Sequence, residues 1–278
     1  MLTKLGADIG LIDVEGKTPV HWAAASDGHD SPKLVTMLIG LKPRSESKTV
    51  INWQDYEGRQ PLHCAVTQGN DAVVAALIKS SSCMLNGLDH RLRSALHWAA
   101  LAGKATVTRL LLERGAKADL ADEAGATAVH LAILSGDPAT VAVFVTAGLG
   151  DTRDLEGRTP LMWAVASGRQ GVLEALQGVD TDLVDGRGSA ALHILVSTVC
   201  SCASKCVCVP SSVETLLEMG AKPEQGNTEG LTALLLAAQL GHTDITTTLL
   251  RHHAKVTQED KSQRTALHLA AQVTLILG

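Results

Sequence analysis

Apolar residues along this chain come in short bursts at helical spacing. Between Asp89 and Asp122, Leu96, Ala99 and Ala100 share one face of a first helix. Gly103 interrupts it, Val107, Leu110 and Leu111 mark a second helix, and Gly115 stops that one. A polar stretch follows, and an aspartate reopens the pattern at Asp122. Helices of about eight to ten residues are too short to persist alone in water. Each pair must therefore bury its apolar face against another copy of itself, which predicts a stacked array.

The copies are plain in the sequence. "GKTPVHWAA" begins at Gly16, "GRQPLHCAV" at Gly58, "LRSALHWAA" at Leu92 and "GATAVHLAI" at Gly125. "GRTPLMWAV" follows at Gly157, "RGSAALHIL" at Arg187, "GLTALLLAA" at Gly230 and "QRTALHLAA" at Gln263. One slot holds His21, His63, His97, His130, Met162, His193, Leu235 and His268 in turn. Five of its steps are 31 to 34 residues long, and two are 42. Such a fixed period is the signature of a repeat architecture.

The local chemistry fits. Asp13, Asp55, Asp154 and Asp185 suit turn openings, because an aspartate side chain can bond the backbone just ahead of it. Thr18, Thr127, Thr159, Thr232 and Thr265, with Ser94, suit helix N-caps, and Pro19, Pro61 and Pro160 suit the first helical position. The histidine slot is filled by Met162 and Leu235 in two copies. That argues against shared catalysis or metal binding and for an imidazole that ties turn to helix.

The pattern is identified as that of the ankyrin-repeat family, with its turn, "TPLHxAA" helix, glycine and "LLxxGA" helix. The resemblance implies an all-α solenoid of stacked helix–turn–helix units with hairpin-like fingers. The expected organisation is a single array over 1–278. A partial repeat at 1–12 precedes repeats starting near 13, 55, 89, 122, 154, 185 and 227, and a truncated repeat covers 260–278. An insertion is expected at about 198–210. The ragged ends predict a piece of a longer chain. Within the family, "INWQDYEGRQPLHCAV" from Ile51 and "DLEGRTPLMWAV" from Asp154, with the Met162–Trp163 pair, resemble the ciliary scaffolds of the nephrocystin group over about 13–176. That implies an adaptor in the cytoplasm, associated with the cilium and with signalling.

Composition narrows the function further. Net charge is −5, and the 24 basic residues form no stripe, so nucleic acid is not an expected partner. Aromatic residues make up 2 %, which suits a core of small aliphatic groups in thin layers. The start of the chain lacks the apolar run of a secretory signal. The most apolar stretch, 189–209, carries His193, Lys205 and several serines, so membrane insertion is not expected. Phosphate-binding and nucleophile-elbow motifs are missing, so the expectation is no enzyme, no cofactor and no small-molecule substrate.

The expected partners are other proteins. Trp22, Trp98 and Trp163 share one slot, which the resemblance places toward the concave groove, and tryptophan is enriched at interface hot spots. Tyr56, Glu57 and Arg59 lie at one turn tip, Arg93 at a second, and Glu156 and Arg158 at a third. The alternatives are gap-filling indoles and solvated turns. Cys200, Cys202, Cys206 and Cys208 form a tight run that four-thiolate zinc could use, although the spacing departs from the usual paired knuckles and a loop is favoured. Other readings of the array are a substrate receptor for ubiquitin ligation, or the repeat region of a larger enzyme or channel.

Overall fold

The computed structural model describes residues 7–41, 50–198 and 209–277. The chain forms two compact units, Met1–Val143 and Phe144–Gly278. Helices occur in pairs, a first helix and then a second. In the N-terminal unit the first helices are α1 (Pro19–Ala24), α3 (Pro61–Gln68), α5 (Ala95–Leu101) and α7 (Ala128–Ser135). Their partners are α2 (Ser31–Ile39), α4 (Asp71–Ile78) and α6 (Ala105–Glu113), and α8 (Pro138–Thr146) runs into the second unit. There α9 (Pro160–Ser167), α11 (Ala191–Thr198), α13 (Ala233–Leu240) and α15 (Ala266–Leu277) are first helices. The second helices are α10 (Gln170–Glu174), α12 (Val209–Glu218) and α14 (Thr243–Arg251).

First helices pack on first helices (α1 on α3, α3 on α5, α5 on α7; α9 on α11, α11 on α13, α13 on α15) and second helices on second helices (α2 on α4, α4 on α6; α12 on α14). Two rows result within each unit, and the core of the unit lies between them. Alanines and leucines such as Leu62, Ala65, Leu96, Ala99 and Ala100 fill it from the first helices. Val73, Leu77, Val107 and Leu111 fill it from the second. Small residues let neighbouring first helices approach closely, which is why so few aromatics suffice.

The histidine slot has a cross-repeat job. Its Nδ1 accepts the amide of the residue three before it: Thr18 to His21 at 3.1 Å, Gln60 to His63 at 2.9 Å and Ala190 to His193 at 3.2 Å. An amide can only donate, so the proton sits on Nε2. Nε2 then donates to a carbonyl of the next copy: His21 to Arg59, His63 to Arg93 and His193 to Leu231, at 3.0 to 3.2 Å. His97 differs. Its Nδ1 accepts the Ser94 amide at 3.2 Å, but its buried Nε2 meets no partner in hydrogen-bond geometry. Where the slot changes, the cap changes with it. The Thr159 and Thr232 hydroxyls accept the amides of Met162 and Leu235 instead, and the Met162 sulfur receives the Thr159 amide at 3.4 Å.

Burial pushes the imidazoles of His21, His63, His97 and His193 below their ordinary value. As pH falls through 6.5, the ordinary value, the unfolded chain therefore takes up protons that the folded chain resists. Stability should be full above that pH and should drop steadily below it. The melting midpoint measured between about pH 7.5 and 5 tests this, and a midpoint that rises on acidification contradicts it.

Four second helices, α6, α8, α12 and α14, are followed by a left-handed residue. Gly115, at φ 82°, gives its amide to the Leu112 carbonyl, and Ala116 reaches Leu111. A side chain here would meet nothing within 4 Å, so the strain is in the backbone alone. Gly58, at φ 79°, carries a second constraint: an added Cβ would come within 2.7 Å of the His90 amide nitrogen in the next turn. Gly115→Val should cost about 2 kcal/mol, and Gly58→Val more, because a neighbouring turn must also move. Urea midpoints of the two variants check the order. His253 occupies, after α14, the position that Gly115 holds after α6, exposed and at φ 63°. His253→Gly should raise stability by about 1 kcal/mol by removing that conformation's cost to a side chain.

Candidate functional site

Each turn is built around one buried or half-buried side chain. Oδ1 of Asp55 accepts the amides of Glu57 and Arg59 at 3.0 and 2.8 Å. Asp13, Asp89, Asp122, Asp154, Asp185 and Asp260 repeat the arrangement with the residues two and four ahead, and so does Asn227. The turns also bond to one another. The Tyr56 amide donates to the Glu15 carbonyl, His90 to Glu57 and Glu123 to Arg91 in the first unit. Gly186 to Glu156 and Lys261 to Glu229 do the same in the second. Each unit thus presents a row of backbone-linked fingers whose tips stand clear of the helices.

The second carboxylate oxygen explains the tryptophans. Trp22 Nε1 donates to Asp13 Oδ2 at 2.8 Å, and Trp98 and Trp163 donate to Asp89 and Asp154 at 2.9 Å. Each indole stands nine residues after its aspartate and fastens the first helix to its turn. A cation covers each ring: Lys17 over Trp22 at 5.4 Å, Arg93 over Trp98 at 6.0 Å and Arg158 over Trp163 at 5.1 Å. Trp22 remains 59 % exposed, while Trp98 and Trp163 are half-buried. Of the three, Trp22 offers the largest free face.

The sequence-picked tip residues divide. Arg59 bonds Asp55 and Glu57 at 3.0 and 2.8 Å, Arg158 bonds Asp154 and Glu156, and Arg93 reaches forward to Asp122 at 3.1 Å. These three arginines brace the fingers. Tyr56, 64 % exposed, lies with its ring edge against Gly16 of the preceding turn and is open to solvent on its other side. Glu57 and Glu156 keep exposed side chains beside their arginines. Val14 and Leu155, which sequence reasoning passed over, are the most exposed apolar tips among the described residues. They sit one residue after the turn aspartate, as Tyr56 does, and that register was the signal for them. Burial works to raise the Asp154 carboxyl, but hydrogen bonds from Arg158 and Trp163 outweigh it and hold it below the usual carboxylate value.

Cys200, Cys202, Cys206 and Cys208, and the core of the expected insertion, lie outside the described residues. Among the described residues no three histidines, cysteines or acids gather as metal ligands. Burial pushes the thiols of Cys64 and Cys83 up to about 11, which keeps them protonated at neutral pH. No described helix is long and apolar enough to cross a membrane.

A sequence profile for ankyrin repeats, in three copies, matches residues 1–87, 24–122, 82–149, 96–185 and 200–275. This chain belongs to the ankyrin-repeat family. The relatives agree. Human inversin is 38 % identical over 199 residues, which make up 69 % of this chain and 18 % of inversin. Inversin of Danio rerio is 37 % identical over the same length, 69 % of this chain and 19 % of that one. The chain therefore spans under a fifth of the length of these curated relatives. The "Probable 26S proteasome regulatory subunit p28" of Saccharomyces cerevisiae is 27 % identical over 193 residues, 66 % of this chain and 81 % of its own. Among solved structures, the ankyrin repeat domain of Bcl-3 superposes with a TM-score of 0.69 at 29 % identity, covering 80 % of this chain and 99 % of that domain. The human ASB11 ankyrin repeat domain gives 0.59 at 25 % identity, covering 79 % and 98 %. Ankyrin arrays are generally protein-interaction modules, and the helical fold here is theirs.

Proposed function

We propose that this chain is the partner-binding part of an inversin-like scaffold, working in the cytoplasm and at the cilium. The identity to human inversin over 199 residues carries the reading. The site geometry supports it: fingers are clamped by Asp–backbone bonds and braced by arginines, so tips such as Val14, Tyr56 and Leu155 are held in place before a partner arrives. Preorganisation of this kind lowers the ordering cost of binding. Trp22 adds an exposed aromatic face beside the first of them.

A photo-crosslinking residue placed at Tyr56 or at Leu155 tests the binding surface, with the exposed helix position Glu113 as the comparison. In extract of ciliated cells the two tips should yield saturable crosslinks to the same protein bands, competed by unlabelled chain. Crosslinking no stronger than at Glu113 removes the proposal. A fluorescent fusion in the same cells should concentrate in the cilium, and an even distribution through the cytoplasm removes the ciliary part.

A further inference from the structure

Six of the seven turn aspartates use both carboxylate oxygens. Oδ1 accepts two backbone amides, and Oδ2 receives a guanidinium or an indole from this chain. Arg59 serves Asp55, Arg93 serves Asp122, Arg158 serves Asp154 and Arg264 serves Asp260, at 2.7 to 3.1 Å. Trp22 and Trp98 serve Asp13 and Asp89. Asp185 is the seventh. Its Oδ1 is bonded by the amides of Arg187 and Ser189, and among the described residues nothing reaches its Oδ2. The reason is in the sequence. Four residues on, where Arg59, Arg158 and Arg264 stand, this turn has Ser189; nine residues on, where tryptophan stands, it has Ile194. The preceding arginine, Arg158, is turned to Asp154 instead.

The same turn is open at its tip. Gly186 has no side chain where Tyr56 and Leu155 have theirs, and a hollow of about 430 Å³ lies beside it. Arg153, Leu155, Glu156, Gly157, Asp185, Gly186 and Arg187 line it, and Leu155 is 80 % exposed. The Arg153 guanidinium is spent on the carbonyls of Gly157 and Val184.

We propose that this notch receives an arginine side chain of a partner protein, with the guanidinium on Asp185 Oδ2 and the aliphatic stem along Leu155. Four other turns show, within this chain, that a guanidinium fits the second oxygen of the same aspartate. The site offers a carboxylate oxygen to which no guanidinium is bonded among the described residues, with Glu156 and Arg187 also lining the hollow, on a chain of net charge −5. A charge-assisted bond to a planar guanidinium is favoured over a neutral donor. This deepens the reading of the chain as a protein-binding array by naming one side chain that it selects.

The test titrates N-acetyl-arginine methylamide, with the citrulline analogue as the uncharged control, into the isotope-labelled 278-residue chain, following backbone amide signals. Gly186, Arg187, Gly188 and Ser189 should shift with arginine, and with citrulline only about tenfold more weakly. Asp185→Asn should abolish the difference between the two ligands. Its fold is safe, because Asn227 already performs the Oδ1 role at another turn. Ser189→Arg should place the chain's own guanidinium in the notch, block the added ligand and raise the melting midpoint. Equal response to arginine and citrulline, or an unchanged arginine response in either variant, overturns the proposal. If that happens while the tip crosslinks persist, the Asp185 notch falls and the scaffold reading stands.

Discussion

Asp55→Ala should lower the stability of the chain by about 3 kcal/mol, a larger loss than most surface changes produce. Asp55 is 4 % exposed, and its carboxylate is the hub of its finger. Removing it strips the amides of Glu57 and Arg59 of their acceptor, and each unsatisfied buried donor costs about 1–3 kcal/mol. Arg59 also loses the partner that holds it at 3.0 Å. Asp55→Asn should cost only about 1 kcal/mol, since an amide oxygen can still accept both backbone bonds, as at Asn227. Urea unfolding of the two variants measures the gap. If alanine is no worse than asparagine, the finger is not organised by its aspartate.

Leu111→Ala should cost about 3–4 kcal/mol, the cost of an emptied leucine site in a core that cannot collapse fully. Leu111 is completely buried in α6, where the second-helix row packs on α4. The neighbouring Leu112 is only half-buried, so Leu112→Ala should cost less than about half as much. Because each repeat is held by its neighbours, hydrogen exchange should quicken first in α4 and α6. Equal denaturation midpoints for the two alanine variants would mean that the buried face of α6 has been misassigned.

Much of the candidate site was legible before any coordinates. The "DxxGRTPL" wording named the turn, its opening aspartate and the proline at the first helical position. The appearance of Met162 and Leu235 in the histidine slot pointed to a structural imidazole, and the paired bonds of His21, His63 and His193 agree. The tryptophans were legible as a slot but not as a bond. Nine residues separate Trp98 from Asp89, too far for a local turn rule, and their contact follows only once the first helix folds back beside its finger. The same holds for Arg59, Arg93 and Arg158. The sequence placed them at turn tips, as recognition groups or solvated turns; their half-buried ion pairs follow only from the turn, which brings a carboxylate within reach of each.

The sequence by itself determined the repeat unit: where helices begin and end, which faces are apolar, and that a unit must stack to bury them. Those features depend on bonds and side-chain spacing within a few residues, so the order of residues is enough to set them. Tertiary structure decided which donors fill which acceptors. Whether Arg93 serves its own turn or Asp122, and whether Asp185 is left with an open oxygen, depends on the separation of consecutive fingers to within an ångström. That separation is set by packing of small side chains between the rows, and no residue encodes it alone.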